Sequence, residues 1–173
     1  WDGQVEDDAR LVVAVARTAA AYGADILTHV DAISLGDGHA TLRDEDGEFA
    51  ITAEHIITCT GVWTQELNPE IALSPSRGTH LVVKSERLGN PTACMTVAIP
   101  GEFGRFVFAI PEPEGITYVG LTDLPTDSLQ PDPPEPTADE LVWLRERISA
   151  ALAVPLREED VIGTYSGLRP LVS

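Results

Sequence analysis

One alanine-rich helical segment, followed by a long succession of short β-rich runs cut off by glycine or proline, restricts this chain to a mixed fold dominated by sheet. Residues 7–22 supply the helix. Leu11, Val12, Val15, Ala19 and Tyr22 recur at helical spacing, acidic residues occupy the first turn, and Gly23 stops the segment. The small alanines predict a helix packed closely against a sheet, with its arginines on the wet side. A β-rich run over 24–35 follows, and then strands at 40–43 and 48–52 separated by the Gly36-Asp37-Gly38 and Asp44-Glu45-Asp46-Gly47 turns. Together these predict a small antiparallel meander.

His55-Ile56-Ile57-Thr58-Cys59-Thr60-Gly61 reads as a buried strand emptying into a glycine, with a short helical stretch from Val62 to Leu67. The stretch from Pro69 to Pro75 is a candidate crossing between domains. Beyond it, 78–84, 93–99, 105–110 and 117–121 read as strands between glycine and proline turns. The proline-rich stretch from Pro125 to Pro136 predicts an extended connection. Thr137 then caps a helix, with Glu140 as its capping-box partner and Leu141, Leu144, Ile148 and Leu152 along one side. Pro155 ends it. Residues 161–165 read as a short strand leading into a turn at Ser166-Gly167-Leu168-Arg169-Pro170.

Eleven Lys and Arg stand against 28 Asp and Glu, a formal net charge of −17. Such a field repels nucleic acid and anionic lipid surfaces. Apolar runs such as Leu11 to Ala16 are far shorter than the roughly 20 residues a bilayer span needs. Hydrophobic content of 43% predicts a folded chain despite the charge. Cys59 and Cys94 do not make a disulfide framework, and they point to a reducing, cytoplasmic compartment. The start at Trp1-Asp2-Gly3 and the apolar and basic end at Arg169 to Ser173 suggest an excerpt of a longer polypeptide.

The four histidines lack metal-site spacing with cysteine or paired carboxylate, so no metal is expected. Asp44 to Glu48 is a solvated turn rather than a calcium loop, and Ser166-Gly167 lacks the flanking glycine of a nucleophile elbow. Within this acidic chain, two islands place a glycine beside a cationic or proton-transferring side chain: Arg77-Gly78-Thr79-His80 and Tyr165-Ser166-Gly167-Leu168-Arg169-Pro170. His80 follows an Arg-Gly-Thr turn at a strand mouth, where a neutral imidazole can accept a proton. From spacing alone a structural hydrogen-bonding histidine is the plainer reading. Arg77 fits a surface ion pair or a polar site, and Arg169 fits anion recognition or an internal salt bridge. Trp63, Phe103, Phe106 and Phe108 favour core packing over a pocket lining.

Six segments in this order resemble the FAD-dependent glycerol-3-phosphate dehydrogenases of the glycine-oxidase-like flavoprotein group. They are Asp7 to Leu11, Thr58 to Trp63, Arg77 to Val83, Phe106 to Pro111, Val119 to Asp123 and Tyr165 to Leu171. The resemblance implies an α+β or α/β fold. A partial FAD-binding domain over 1–73 would precede a largely antiparallel substrate domain with packed helices over 74–173. It further implies hydride transfer from C2 of sn-glycerol 3-phosphate to FAD, giving dihydroxyacetone phosphate, and onward electron transfer to a quinone or similar acceptor. Thr60 and Gly61 would lie at the cofactor, while His80 and Arg169 would meet the substrate.

The Gly-x-Gly-x-x-Gly loop that holds FAD phosphates is absent, and in the family it lies upstream. Gly120-Leu121-Thr122-Asp123 carries leucine where the family often has a second threonine. The resemblance therefore implies the middle of an enzyme, inactive in isolation. Peripheral membrane association and homo-oligomerisation stay open. The competing readings are a non-catalytic structural or regulatory sheet domain, or another FAD-linked amine or hydroxy-acid oxidoreductase.

Overall fold

The computed structural model describes residues 7–127, 129 and 133–172. The chain divides into two compact units, Trp1–Glu70 and Ile71–Ser173. Unit 1 opens with α1, Asp8–Ala21, whose start is fixed by the Asp7 carboxylate accepting from the Arg10 amide. A three-stranded antiparallel meander follows: β1 (Asp31–Gly36), β2 (His39–Asp44) and β3 (Gly47–Thr52). Its two tight turns lie where the glycine-aspartate clusters predict them.

Two expectations for unit 1 are overturned. Helix α1 buries none of its residues, and Leu11, Val12, Val13, Val15 and Tyr22 are exposed. An apolar stripe shows that a helix has something to pack on, but the described residues do not supply that surface. The buried strand expected over 55–61 is also missing. Residues 55–60 pair with none of the described strands, and Ile57 is 85% exposed. A strand exists only through its ladder, which a run of apolar residues cannot provide alone. A short 3₁₀ turn at Gly61–Trp63 leads into the single-turn α2, Thr64–Leu67.

Unit 2 is a six-stranded antiparallel sheet. Its organiser is β4, Ser76–Lys84, which pairs along one edge with β7 (Ile116–Gly120) and β8 (Leu124–Pro125), and along the other with β9 (Val161–Arg169). Strand β6 (Phe106–Pro111) extends the sheet from β7, and β5 (Met95–Ala98) forms its edge. Helix α3, Ala138–Ser149, packs on one face. Leu144 and Ile148 meet Leu81, Val83, Val107, Ala109 and Val119 there, all fully buried. Leu81 and Val83 on β4, and Val107 and Ala109 on β6, stand two positions apart, as a sheet with one covered face requires.

Two stretches read as turns are strand, Ser166 to Arg169 and the Arg-Gly-Thr before His80, the second overlapping the strand read over 78–84. Arg77-Gly78-Thr79 lies inside β4, and β9 continues through Ser166 to Arg169 instead of turning. Eight residue pairs between β4 and β9, from Ser76↔Arg169 to Val83↔Val161, hold this stretch extended and override its Ser-Gly turn chemistry. The aromatic residues are also misjudged. Phe103 is fully exposed, Phe106 and Trp63 are 39% and 41% exposed, and Phe108 is half-buried, so none of the four is core. Part of the proline-rich connection, at residues 128 and 130–132, lies outside the described residues, as do the two chain termini at 1–6 and 173.

Candidate active site on the sheet face opposite the helix

The alternation of β4 sorts its side chains into two sets. Arg77, Thr79, Leu81 and Val83 face α3, and Ser76, Gly78, His80 and Val82 face away from it. Register carries the second set across the sheet. His80 lies between Gly120 on β7 and Tyr165 on β9, and Ser76 lies opposite Arg169. The structure thus brings His80 and Arg169 onto one face of unit 2.

Glycines make this arrangement possible. A Cβ on Gly120 would stand 2.2 Å from His80 Cδ2, and one on Gly78 would stand 2.2 Å from Arg169 Nη2. The imidazole therefore rests across Gly120, and the guanidinium lies across Gly78, the next position along β4 toward His80. On its other side the imidazole stacks on Tyr165, with centroids 4.7 Å apart and planes 8° from parallel. Tyr118 meets Tyr165 edge-on at 5.4 Å.

Burial pushes the His80 pKa down, and the Arg169 charge pushes it further, to about 4. Its Nδ1 is buried and has no hydrogen-bond partner among the described residues. His80 is therefore a neutral imidazole across the physiological range, with no described protein group fixing its tautomer. Of the structural hydrogen bonds that its spacing left open, Nδ1 makes none among the described residues.

Arg169 is oriented by three acceptors. Nη1 reaches Asp123 Oδ1 at 3.4 Å and Ser76 Oγ at 3.5 Å, and Nη2 donates to the Thr122 carbonyl at 3.3 Å. Ser76 Oγ in turn donates to Asp123 Oδ1. The ion pair with Asp123 is long and half-exposed, which leaves donors of the fork available to an anion. Arg77, by contrast, pairs with Glu140 on the other side of the sheet, Nη2 to Oε2 at 2.9 Å, and is an internal salt-bridge partner.

Thr60 and Gly61 belong to unit 1. Thr60 precedes the 3₁₀ turn and its Oγ1 lies 3.1 Å from Thr64 Oγ1, while Thr64 Oγ1 donates to the Gly61 carbonyl. Gly61 has φ of +54°, the left-handed region that favours glycine. The pair thus forms a tight, side-chain-braced bend.

A profile of the FAD dependent oxidoreductase family matches residues 1–173. The chain belongs to this family. Glycerol-3-phosphate dehydrogenase 1 of Mycobacterium bovis is 48% identical over 174 residues, covering 99% of this chain and 34% of the relative. The glycerol-3-phosphate dehydrogenase of Bacillus halodurans, solved in complex with FAD, superposes with a TM-score of 0.83 at 28% identity, over 96% of this chain and 36% of that one. Glycine oxidase from Geobacillus kaustophilus shares the fold, with a TM-score of 0.67 at 23% identity over 94% and 42% of the two chains. The chain spans about a third of the length of the curated glycerol-3-phosphate dehydrogenases it matches.

FAD is the cofactor of this family. The residues present suit such a group: a cation beside a neutral imidazole, a buried nitrogen without a partner, and a strand surface kept low by glycine. Tyr118, Gly120 and Asp123 lie on the same face; Gly120 and Asp123 fall in a segment that carries the family resemblance, but none of the three stands out in the sequence as a site candidate. Their signal was the register itself, because Gly120 and Tyr118 are the β7 partners of His80 and Val82.

Proposed function

We propose that this chain forms the middle of a flavoprotein that oxidises sn-glycerol 3-phosphate at C2 to dihydroxyacetone phosphate. The observation that carries the proposal is the placement of His80 and Arg169 on one sheet face, each occupying the space that a side chain at a neighbouring glycine would fill. Residues 1–73 are assigned to the FAD-binding domain and residues 74–173 to the substrate domain. Bound FAD would supply the hydride acceptor.

The chain's own residues supply the remainder. His80, neutral at physiological pH, accepts the proton of the C2 hydroxyl or holds that hydroxyl in line. Arg169 receives the phosphate or the oxygen on which negative charge develops, exchanging its long contact with Asp123 for the substrate. Thr60 and Gly61 present a braced bend to the cofactor. A purely structural sheet domain has no need to keep an unpartnered imidazole beside an arginine. No described helix is long and apolar enough to cross a membrane. The proposed setting is glycerol metabolism at the cytoplasmic side, with a quinone-type acceptor, peripheral membrane attachment and self-association as compatible additions.

The test is anaerobic reduction of the flavin absorption band by glycerol 3-phosphate in the full-length protein. Bleaching should be rapid in the wild type and lost in His80→Ala and Arg169→Ala variants that retain FAD. A flavin that stays oxidised with this substrate but is bleached by an amine or hydroxy acid would assign the site to another oxidoreductase of the family.

A further inference from the structure

We propose that Glu140 is a positioning residue for Arg169, acting from the opposite face of the sheet through Thr122. This rests on the reading of Arg169 as a substrate-binding group. Glu140 lies in the first turn of α3, where the capping box explains its contacts with Thr137: Oε2 accepts from the Thr137 amide at 3.0 Å and from its hydroxyl at 2.8 Å.

The capping role leaves most of the carboxylate unexplained. Oε1 accepts from Thr79 Oγ1 at 2.8 Å and from Thr122 Oγ1 at 2.8 Å, and Oε2 also takes Arg77 Nη2 at 2.9 Å. A residue only 3% exposed thus gathers donors from β4 and from the segment that follows β7. Those same segments carry the site on their other side. Thr79 separates Gly78 from His80, and Thr122 lies between Gly120 and Asp123.

Thr122 is the connecting residue. Its hydroxyl donates to Glu140 and accepts from the Thr79 amide at 2.9 Å, so both of its directions are fixed. Its carbonyl accepts from Arg169 Nη2 at 3.3 Å, and the next residue, Asp123, takes Nη1. Two hydrogen bonds therefore connect the buried carboxylate to the guanidinium. Burial alone would raise the Glu140 pKa, but the hydrogen bonds from Thr137, Thr79 and Thr122 outweigh it and hold the pKa at about 2. The group is ionised, and only a carboxylate offers acceptors on both oxygens. A glutamine would aim N–H donors at Arg77 Nη2 and the Thr137 amide, or, if flipped, at Thr79 and Thr122.

The test uses the full-length, FAD-loaded protein. Glu140→Gln is expected to raise KM for glycerol 3-phosphate about tenfold, a change of about 1.4 kcal/mol in apparent binding, with kcat within about twofold. Thr122→Val should do the same and Thr122→Ser should restore the wild-type value, which keeps the inference testable where Glu140→Gln fails to fold. In an Arg169→Lys background, Glu140→Gln should add nothing further, because coupled groups are not additive. The Arg169 Nε–H resonance, assigned by its loss in Arg169→Lys, should be sharp and resolved in the wild type and averaged in Glu140→Gln and Thr122→Val. This last reading needs no substrate.

Full additivity with Arg169→Lys, or an unchanged Arg169 resonance in both variants, overturns the inference and leaves Glu140 a helix cap. A wild-type flavin that glycerol 3-phosphate cannot reduce overturns the functional reading instead, and the resonance alone then decides the role of Glu140.

Discussion

Titration of His80 offers a direct check on the geometry of the site. Its pKa falls from an ordinary 6.5 to about 4, first because neighbouring groups exclude water and second because Arg169 opposes a second positive charge. That difference corresponds to roughly 3 kcal/mol, or about 2–3 kcal/mol after allowance for partial exposure. The unfolded chain binds the proton more readily than the native one. The contribution is therefore complete above pH 6.5 and is lost as pH falls through 4. Roughly 1–2 kcal/mol of it should be gone by pH 5, before Glu140 protonates. Urea unfolding of wild type and His80→Gln between pH 7.5 and 5 should show the wild type losing this extra stability, and the His80 Cε1–H resonance should titrate well below 6. Parallel stability profiles, or a midpoint near 6.5, would refute the reasoning and place the imidazole in water.

Two further outcomes follow from packing. Gly78→Ala places a methyl group 2.2 Å from Arg169 Nη2, which forces the flexible guanidinium to swing away while β4 keeps its pairing. The expected result in the full-length protein is about a tenfold loss in kcat/KM for glycerol 3-phosphate with little change in melting temperature. Leu144→Ala empties a fully buried position between α3 and the sheet. It should cost about 2–5 kcal/mol in urea unfolding, and a cost below about 1 kcal/mol would mean that α3 does not seal the core.

Much of the architecture was legible in the sequence where local chemistry decides it. The Thr137 and Glu140 capping box, the glycine-aspartate turns of the meander and the alternation of Leu81 and Val83 all depend on neighbouring residues. Long-range pairing was not legible. Ser166 to Arg169 has the composition of a turn, and only β4 alongside makes it a strand. Residues 55–60 show the converse, an apolar run with no described ladder beside it. His80 and Arg169 were each visible as candidates, but their sharing a face depends on the Ser76↔Arg169 register. The second role of Glu140 was hidden because its cap explained it at close range, whereas Thr79 and Thr122 are 61 and 18 residues away in sequence.

Strand β4 makes the hydrophobic core and the site two sides of one stretch of nine residues. For natural variation this means that substitutions and length changes are not equivalent. A changed side chain on one face can be absorbed without disturbing the other, whereas inserting or deleting one residue inverts the pleat for everything beyond it. An insertion just before Gly78 that kept the Ser76↔Arg169 pairing would slip every later residue by one along β9, sending His80 toward Leu144 and Leu81 onto the face of Arg169 unless a bulge absorbed it. Lineages that retool this face for other substrates are thus expected to exchange residues at 76, 78 and 80 and to place their insertions in the connections between strands.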